Sequence, residues 1–297
     1  MKQYPVHTFN GKNGETIAYR KAGENGPHLV LVHGNMSSSV HWQTTMEQLE
    51  DSFQIIAMDL RGFGDSTYQH PVNSLSDFAD DVIELVASYN IDSFMIVGWS
   101  TGGGIALEVA AQLKSSVTKV VLLDSVGLMG YPMFKKDEKG QPILTEIITT
   151  KEEIANDPVQ VLPILMAYQN KDKGFMRMIW DALIYNLNKP SESDYELYLD
   201  AMLKQRNLVD VDYGLITFNI TEDYNGVVMG NNRIKDITAQ VIIFHGEKDL
   251  VVPIQYAYDA KERFGHQAEL VVFENAGHSI ITDDLPLFIK TLKEKLV

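Results

Sequence analysis

The chain has 297 residues, 45% of them hydrophobic, enough to bury a sizeable core, so disorder is not its default state. Lys and Arg number 25 against 40 Asp and Glu; the formal charge of −15 repels phosphate backbones and anionic lipid, which argues against nucleic acid or a membrane as partner. There is no cysteine, which excludes a disulfide framework, a thiolate metal site and a cysteine nucleophile, and suits a reducing cytosol.

The opening Met1-Lys2-Gln3-Tyr4-Pro5-Val6-His7 lacks the apolar stretch of a secretory leader, and no run approaches a membrane span, so a soluble, cytoplasmic protein is expected. Val6 to Phe9 and Glu15 to Ala22 read as paired strands across the turn Asn10-Gly11-Lys12-Asn13-Gly14. His28 to Val32, Gln54 to Met58, Phe94 to Val97 and Val117 to Leu123 are near-continuous apolar runs, the pattern of strands covered on both faces. Between them, Phe78, Val82, Leu85, Val86 and Tyr89 recur at helical spacing after the capping signal Ser74-Leu75-Ser76-Asp77. Ile105, Val109, Ala110 and Leu113 do the same. Such alternation predicts an α/β fold, a mostly parallel sheet wrapped by helices.

From about Val126 to Asn232 the strand signal stops, and helix-like stretches follow start signals at Asp157-Pro158 and Lys189-Pro190-Ser191. The alternation then resumes with Val241 to His245, a helix after Pro253, the strand Glu269 to Phe273 and a terminal helix from about Asp283 to Leu296. The expected organisation is one core domain, 1–125 and 233–297, interrupted by a helical cap at 126–232.

The strongest chemical signal is Gly98-Trp99-Ser100-Thr101-Gly102, directly after a strand and directly before a helix. A serine on so sharp a turn has its hydroxyl lifted off the sheet, and side chains two residues either side would collide, hence the flanking glycines. A serine hydroxyl is a poor nucleophile without a base, and the base needs an orienting acid. His278, in Asn275-Ala276-Gly277-His278-Ser279, follows the last strand, and Asp249, in Gly246-Glu247-Lys248-Asp249, follows the strand before it. Both therefore stand at the carboxyl edge of the sheet, where open α/β sheets bind ligands. Asp124, at the end of Val117 to Leu123, is a rival for the acid. Backbone N–H groups of the loop His33-Gly34-Asn35-Met36 can join that of Thr101 in an oxyanion hole, with Asn35 the favoured second donor and Met36 the fallback. His33 and His245 read as structural strand-end residues, and His7, His70 and His266 as surface ones.

With these pieces assembled, the chain resembles proteins of the α/β-hydrolase fold over essentially its whole length. The resemblance rests on His33-Gly34, Asp59-Leu60-Arg61-Gly62-Phe63-Gly64-Asp65-Ser66, the elbow at Ser100, Asp249 and Gly277-His278. The run Gly98 to Gly104 is similar to cofactor-free haloperoxidases and aryl esterases, and His33-Gly34-Asn35 to haloalkane dehalogenases, which carry aspartate where this chain has serine. The resemblance implies that the Asp59 to Ser66 stretch is a structural loop beside the site.

The expected function is hydrolysis of small carboxylic esters through an acyl-enzyme, with no cofactor and no metal; monomer and homodimer both stay open. Lactone hydrolysis, carbon–carbon hydrolysis, peptidase activity and perhydrolysis are rivals on the same residues, and a slow-turnover ligand sensor is a rival of another class. The cap holds seven of the 12 methionines (Met129, Met133, Met166, Met176, Met178, Met202, Met229) together with Trp180, a composition that suits an adaptable apolar pocket.

Overall fold

Apolar runs that leave neither side fit for water must lie in the middle of a layered structure. The computed structural model, which describes Met1–Val297, places them so. In chain order the elements are β1 (Val6–Asn10), β2 (Thr16–Ala22), β3 (His28–Val32), α1 (Gln43–Leu49), β4 (Gln54–Met58), α2 (Leu75–Ser88), β5 (Phe94–Trp99), α3 (Thr101–Leu113) and β6 (Val117–Leu123). There follow β7 (Phe134–Lys136), β8 (Pro142–Ile147), α4 (Lys151–Ala155), α5 (Leu162–Asn170), α6 (Lys173–Leu183), α7 (Glu192–Met202) and α8 (Leu208–Thr217). The chain closes with β9 (Gln240–Gly246), α9 (Gln255–Phe264), β10 (Ala268–Phe273), α10 (Ile280–Asp283) and α11 (Leu285–Leu296).

Eight strands form one sheet in the order β1-β2-β4-β3-β5-β6-β9-β10. β2 is antiparallel to both its neighbours, and every pairing from β4 to β10 is parallel. The period-2 geometry of a strand divides its side chains between two cores. Leu29, Leu31, Met95, Val97, Ile242 and Phe244 join one buried cluster, while Val30, Val32, Ile96, Val241 and Ile243 join the other. After β3 the chain moves to β4 on one side, and after β4 it returns to β5 on the other. The loops that follow β3 and β5 therefore leave the sheet at its switch point, where a crevice opens beyond the carboxyl ends.

Residues 126–232 lie between β6 and β9, and their apolar side chains have no separate core. Met176, Trp180, Tyr185, Tyr195, Tyr198, Leu199 and Met202 belong to the same buried cluster as Trp42, Met46 and Trp99. His41 stacks on Tyr198 with ring centroids 4.4 Å apart and lies 5.4 Å from the Trp180 ring, a contact across the seam.

Three details differ from the expectation. The segment is not wholly helical, because β7 and β8 pair antiparallel within it. Their residues are mostly exposed or half-exposed and include Lys135, Lys136 and an open Leu144, so no apolar alternation marks them. The Asp157-Pro158 signal caps a turn, with Asp157 Oδ1 accepting from the N–H groups of Val159 and Gln160, and α5 begins only at Leu162. The terminal helix α11 starts slightly later than expected, at Leu285, where the Asp284 side chain caps it by accepting from Leu287 N–H, and a short α10 precedes it. No helix is long and apolar enough to cross a membrane.

Because residues 126–232 and the sheet share one buried cluster, they should unfold together. Trp180 is fully buried at their seam. Trp180→Ala is expected to lose about 3–5 kcal/mol of stability, measured by denaturant titration, and both proteins should show one transition. A separate low-denaturant transition in the unaltered protein would show residues 126–232 to be independent.

Candidate active site

Ser100 joins β5 to α3 with φ 55° and ψ −120°, a backbone conformation that costs a side-chain-bearing residue about 1–3 kcal/mol. Close packing enforces it. A carbon added at Gly98 would lie 2.1 Å from Gly102 O, and one added at Gly102 would lie 2.4 Å from Val32 O. Both glycines are thus required by the close approach of backbone carbonyls. Ser100 N–H donates to Leu123 O at 2.9 Å, which ties the turn to β6. The side chain remains partly exposed.

The loops after β9 and β10 press on each other: a carbon at Gly246 would stand 2.2 Å from Gly277 O, and Lys248 N–H donates to Ala276 O at 2.9 Å. This contact brings His278 Nδ1 to 2.8 Å from Asp249 Oδ2. The other carboxylate oxygen accepts from Val251 and Val252 N–H at 2.7 and 2.9 Å. Burial alone would raise the Asp249 carboxyl, but the His278 ring and these two amides hold it below the usual carboxylate range. An ionised carboxylate only accepts, so Nδ1 carries the ring proton and Nε2 offers a lone pair. Trp99 Nε1–H donates to the His278 carbonyl at 2.8 Å, binding this loop to the residue before Ser100. No hydrogen bond joins Ser100 Oγ to Nε2; such bonds commonly tighten only when substrate enters.

Of the two carboxyls weighed, Asp249 alone contacts the His278 ring. Asp124 Oδ1 accepts from Gly246 N–H at 2.8 Å, and its Oδ2 is buried without a partner. Burial, with the Asp249 carboxylate beside it, pushes Asp124 well above the usual range. Asp124, His245 and Asp249 bring potential metal ligands within 4.8 Å of one another. In this set His245 Nε2 is engaged with Val252 O at 3.0 Å, and both Asp249 oxygens already accept hydrogen bonds within the chain.

Gly34 lies against the elbow, where an added carbon would stand 2.9 Å from Ser100 Cβ. Next to it the two candidate oxyanion donors separate. Met36 N–H is spent on Asn35 Oδ1 at 2.9 Å and Gln205 Oε1 at 3.1 Å, whereas Asn35 N–H donates to nothing within the chain. Thr101 is the first residue of α3, so its N–H lacks an intrahelical acceptor, and the helix terminus favours negative charge there. His33 fixes the loop, with Nδ1 facing Gly34 O at 2.8 Å and Nε2 accepting from Leu60 N–H at 3.0 Å. Asp59 accepts from Ser39 and Asp65 N–H, and Arg61 grips Asp81 through Nε and Nη2, so the Asp59 to Ser66 stretch braces the edge.

Sequence reasoning missed three contributors. His41 is buried and pushed down to about 3 by burial and by His33, so it packs as a neutral ring. Gln205 and Asp212 reach from the segment 126–232 to Asn35, with Gln205 Nε2–H donating to Asn35 Oδ1 at 2.8 Å and Asn35 Nδ2–H to Asp212 Oδ1 at 3.1 Å. Only the polar character of Asp212 beside the apolar Val211 and Leu215 hinted at it. The methionines divide: Met176 and Met202 lie in the closed core, Met166, Met178 and Met229 are 60%, 58% and 66% exposed, and Met129 lines a surface cavity with Tyr256 and Arg263.

The sequence pattern of the alpha/beta hydrolase fold matches residues 27–145. An uncharacterized protein of Mycobacterium tuberculosis is 32% identical over 298 residues, covering 96% of this chain and 79% of that one. The bifunctional esterase/perhydrolase of Acinetobacter calcoaceticus is 26% identical over 287 residues, covering 95% of this chain and 96% of the relative. Among solved structures, an esterase from Exiguobacterium antarcticum superposes with a TM-score of 0.73 at 20% identity, over 97% of this chain and 98% of that one.

The raised Asp124 carboxyl has a consequence for stability. A group whose folded pKa exceeds its unfolded value stabilises below the latter, about pH 4, and loses that contribution as pH rises toward the folded pKa. Asp124→Asn is therefore expected to gain stability relative to the unaltered protein as pH rises from about 4 to neutrality. Denaturation midpoints across that range check it, and parallel curves for the two proteins would refute it.

Proposed function

Because the chain belongs to the family of the alpha/beta hydrolase fold, we propose that it is a serine esterase that cleaves small carboxylic esters through an acyl-enzyme. The observation that carries this reading is the His278–Asp249 pair, set on two interlocked loops at the same sheet edge as the strained Ser100 turn. Ser100 Oγ attacks the ester carbonyl while His278 Nε2 takes its proton, and Asp249, already ionised, stabilises the imidazolium. The N–H groups of Asn35 and Thr101 hold the oxyanion, a role that needs donors without other acceptors. His278 then gives its proton to the departing alcohol, and a water molecule, deprotonated by the same nitrogen, releases the acid. In this reading residues 126–232 act as a cap over a core of 1–125 and 233–297. The name of the Acinetobacter calcoaceticus relative supports ester cleavage over peptidase or carbon–carbon activity.

A fluorophosphonate probe should label the protein at Ser100, and Ser100→Ala should abolish both labelling and most turnover while remaining folded; undiminished labelling would move the nucleophile elsewhere. Asp249→Asn should lower kcat by up to about 10⁴-fold, since the ring then loses the tautomer needed for proton transfer. Asp124→Asn should fall far less, and equal damage from it would reverse the assignment.

Across p-nitrophenyl esters from acetate to palmitate, kcat/KM should rise and then fall, each CH₂ gaining at most about 0.8 kcal/mol until the space under the cap is full. A continued rise to palmitate would show an open groove.

A further inference from the structure

The cap brings one carboxyl to the proposed oxyanion loop. Asp212, on α8, accepts from Asn35 Nδ2–H at 3.1 Å, and Asn35 follows the glycine that lies against Ser100. Gly214 packs on Leu75, and Leu75 packs on Gly104 of α3, so α8 is docked over the first turns of the helix that starts at the elbow. Asp212 keeps a partly accessible side chain although protein atoms surround it. Its Oδ2 accepts no hydrogen bond and is not sealed. The nearby carboxylates Asp157 and Asp210 are paired with Lys136 and Lys151, whereas Asp212 has no cation.

A carboxyl oxygen that is accessible and has no partner within the chain, beside the proposed oxyanion loop, is free to accept from or donate to a ligand. We propose that Asp212 is a specificity-determining residue whose free oxygen binds a hydroxyl group of the substrate, so that the substrates are hydroxylated esters, with the hydroxyl on the acyl or the alcohol side. This assignment rests on the esterase reading. Burial, with Asp157 adding to it and the Asn35 amide opposing it, pushes the Asp212 carboxyl up to about 7, so both protonation states are present at neutral pH. A hydroxyl suits both, donating to the carboxylate and accepting from the acid. An ammonium group suits only one, and its desolvation would be met by the neutral groups Asn35, Gln205 and Tyr168, whose polar atoms already bond one another.

Two pairs of esters test this in a pH-stat: methyl 3-hydroxybutyrate against methyl butyrate, and 2-hydroxyethyl butyrate against propyl butyrate. In one pair the hydroxylated ester should exceed its plain partner in kcat/KM by about tenfold or more, and that pair identifies the side. Asp212→Ala should bring the ratio close to one, as should Asp212→Leu, which fills the space if the smaller side chain prevents folding. Fluorophosphonate labelling of Ser100 verifies an intact site in each variant. Equal losses on hydroxylated and plain esters would make Asp212 a positioning residue acting through Asn35, and would overturn the proposal. So would ratios near one in both pairs in the unaltered protein, or a preference for 2-aminoethyl butyrate. Absence of Ser100 labelling in the unaltered protein defeats the esterase reading and this assignment together, whereas labelling with a flat hydroxyl ratio defeats this assignment alone.

Discussion

Three backbone segments meet around Ser100 at distances that leave no room for a side-chain carbon at Gly34, Gly98 or Gly102. The left-handed turn at Ser100 follows from that crowding, because the carbonyls of Val32 and His33 lie against Gly102, where α3 must start. Burial of all six residues of β5 anchors the strand against the strain. The same crowding sets the position of Asn35, since its backbone follows a glycine in contact with Ser100. A methyl group at Gly34 would push that loop away from the serine and carry the Asn35 N–H with it. The proposed nucleophile and oxyanion donor thus have a common steric origin in the switch point between β3 and β5.

Electrostatics at the neighbouring loops follow from an asymmetry between two buried carboxyls. Asp249 receives two backbone N–H groups and a ring N–H, and its negative charge is stabilised in place of water. Asp124 receives one backbone N–H and faces that charge, which favours its neutral form. Neither arrangement works without the other. Two charges in this space would repel, and a neutral Asp249 would leave the tautomer of His278 unspecified. The interlock at Gly246 and Gly277 holds the difference, because it aims the Val251 and Val252 amides at Asp249 and the Gly246 amide at Asp124.

What the sequence made legible was whatever local chemistry alone determines. The apolar runs of β3 to β6 and β9 predicted a parallel sheet because strands covered on both faces need such runs. The glycines around Ser100 predicted the turn because nothing else fits there, and Asp249 and His278 were found by their positions after consecutive strands. The hairpin β7–β8 was invisible because its exposed residues carry no alternation. Gln205 and Asp212 were invisible for another reason: their partners Asn35 and Met36 lie some 170 residues earlier in the chain, and no local pattern records a contact across that separation.

That long-range contact also determines how residues 126–232 are held against the loop after β3. Gln205 donates to Asn35 Oδ1, accepts from Met36 N–H and accepts from Tyr168 O–H, so a single amide of the cap holds the loop after β3 from above. Each such bond contributes about 1 kcal/mol, but breaking one around buried groups exposes a donor or acceptor at greater cost. The stacking of His41 on Tyr198 and the shared cluster around Trp180 add apolar contact to the same seam. Lifting the cap as a rigid body would therefore release the Asn35–Met36 backbone together with the roof. A geometry suited to holding an oxyanion requires that backbone fixed. In the proposed reading, residues 126–232 are accordingly a wall of the site whose polar contacts orient the loop after β3, and a substrate would reach Ser100 with those contacts in place.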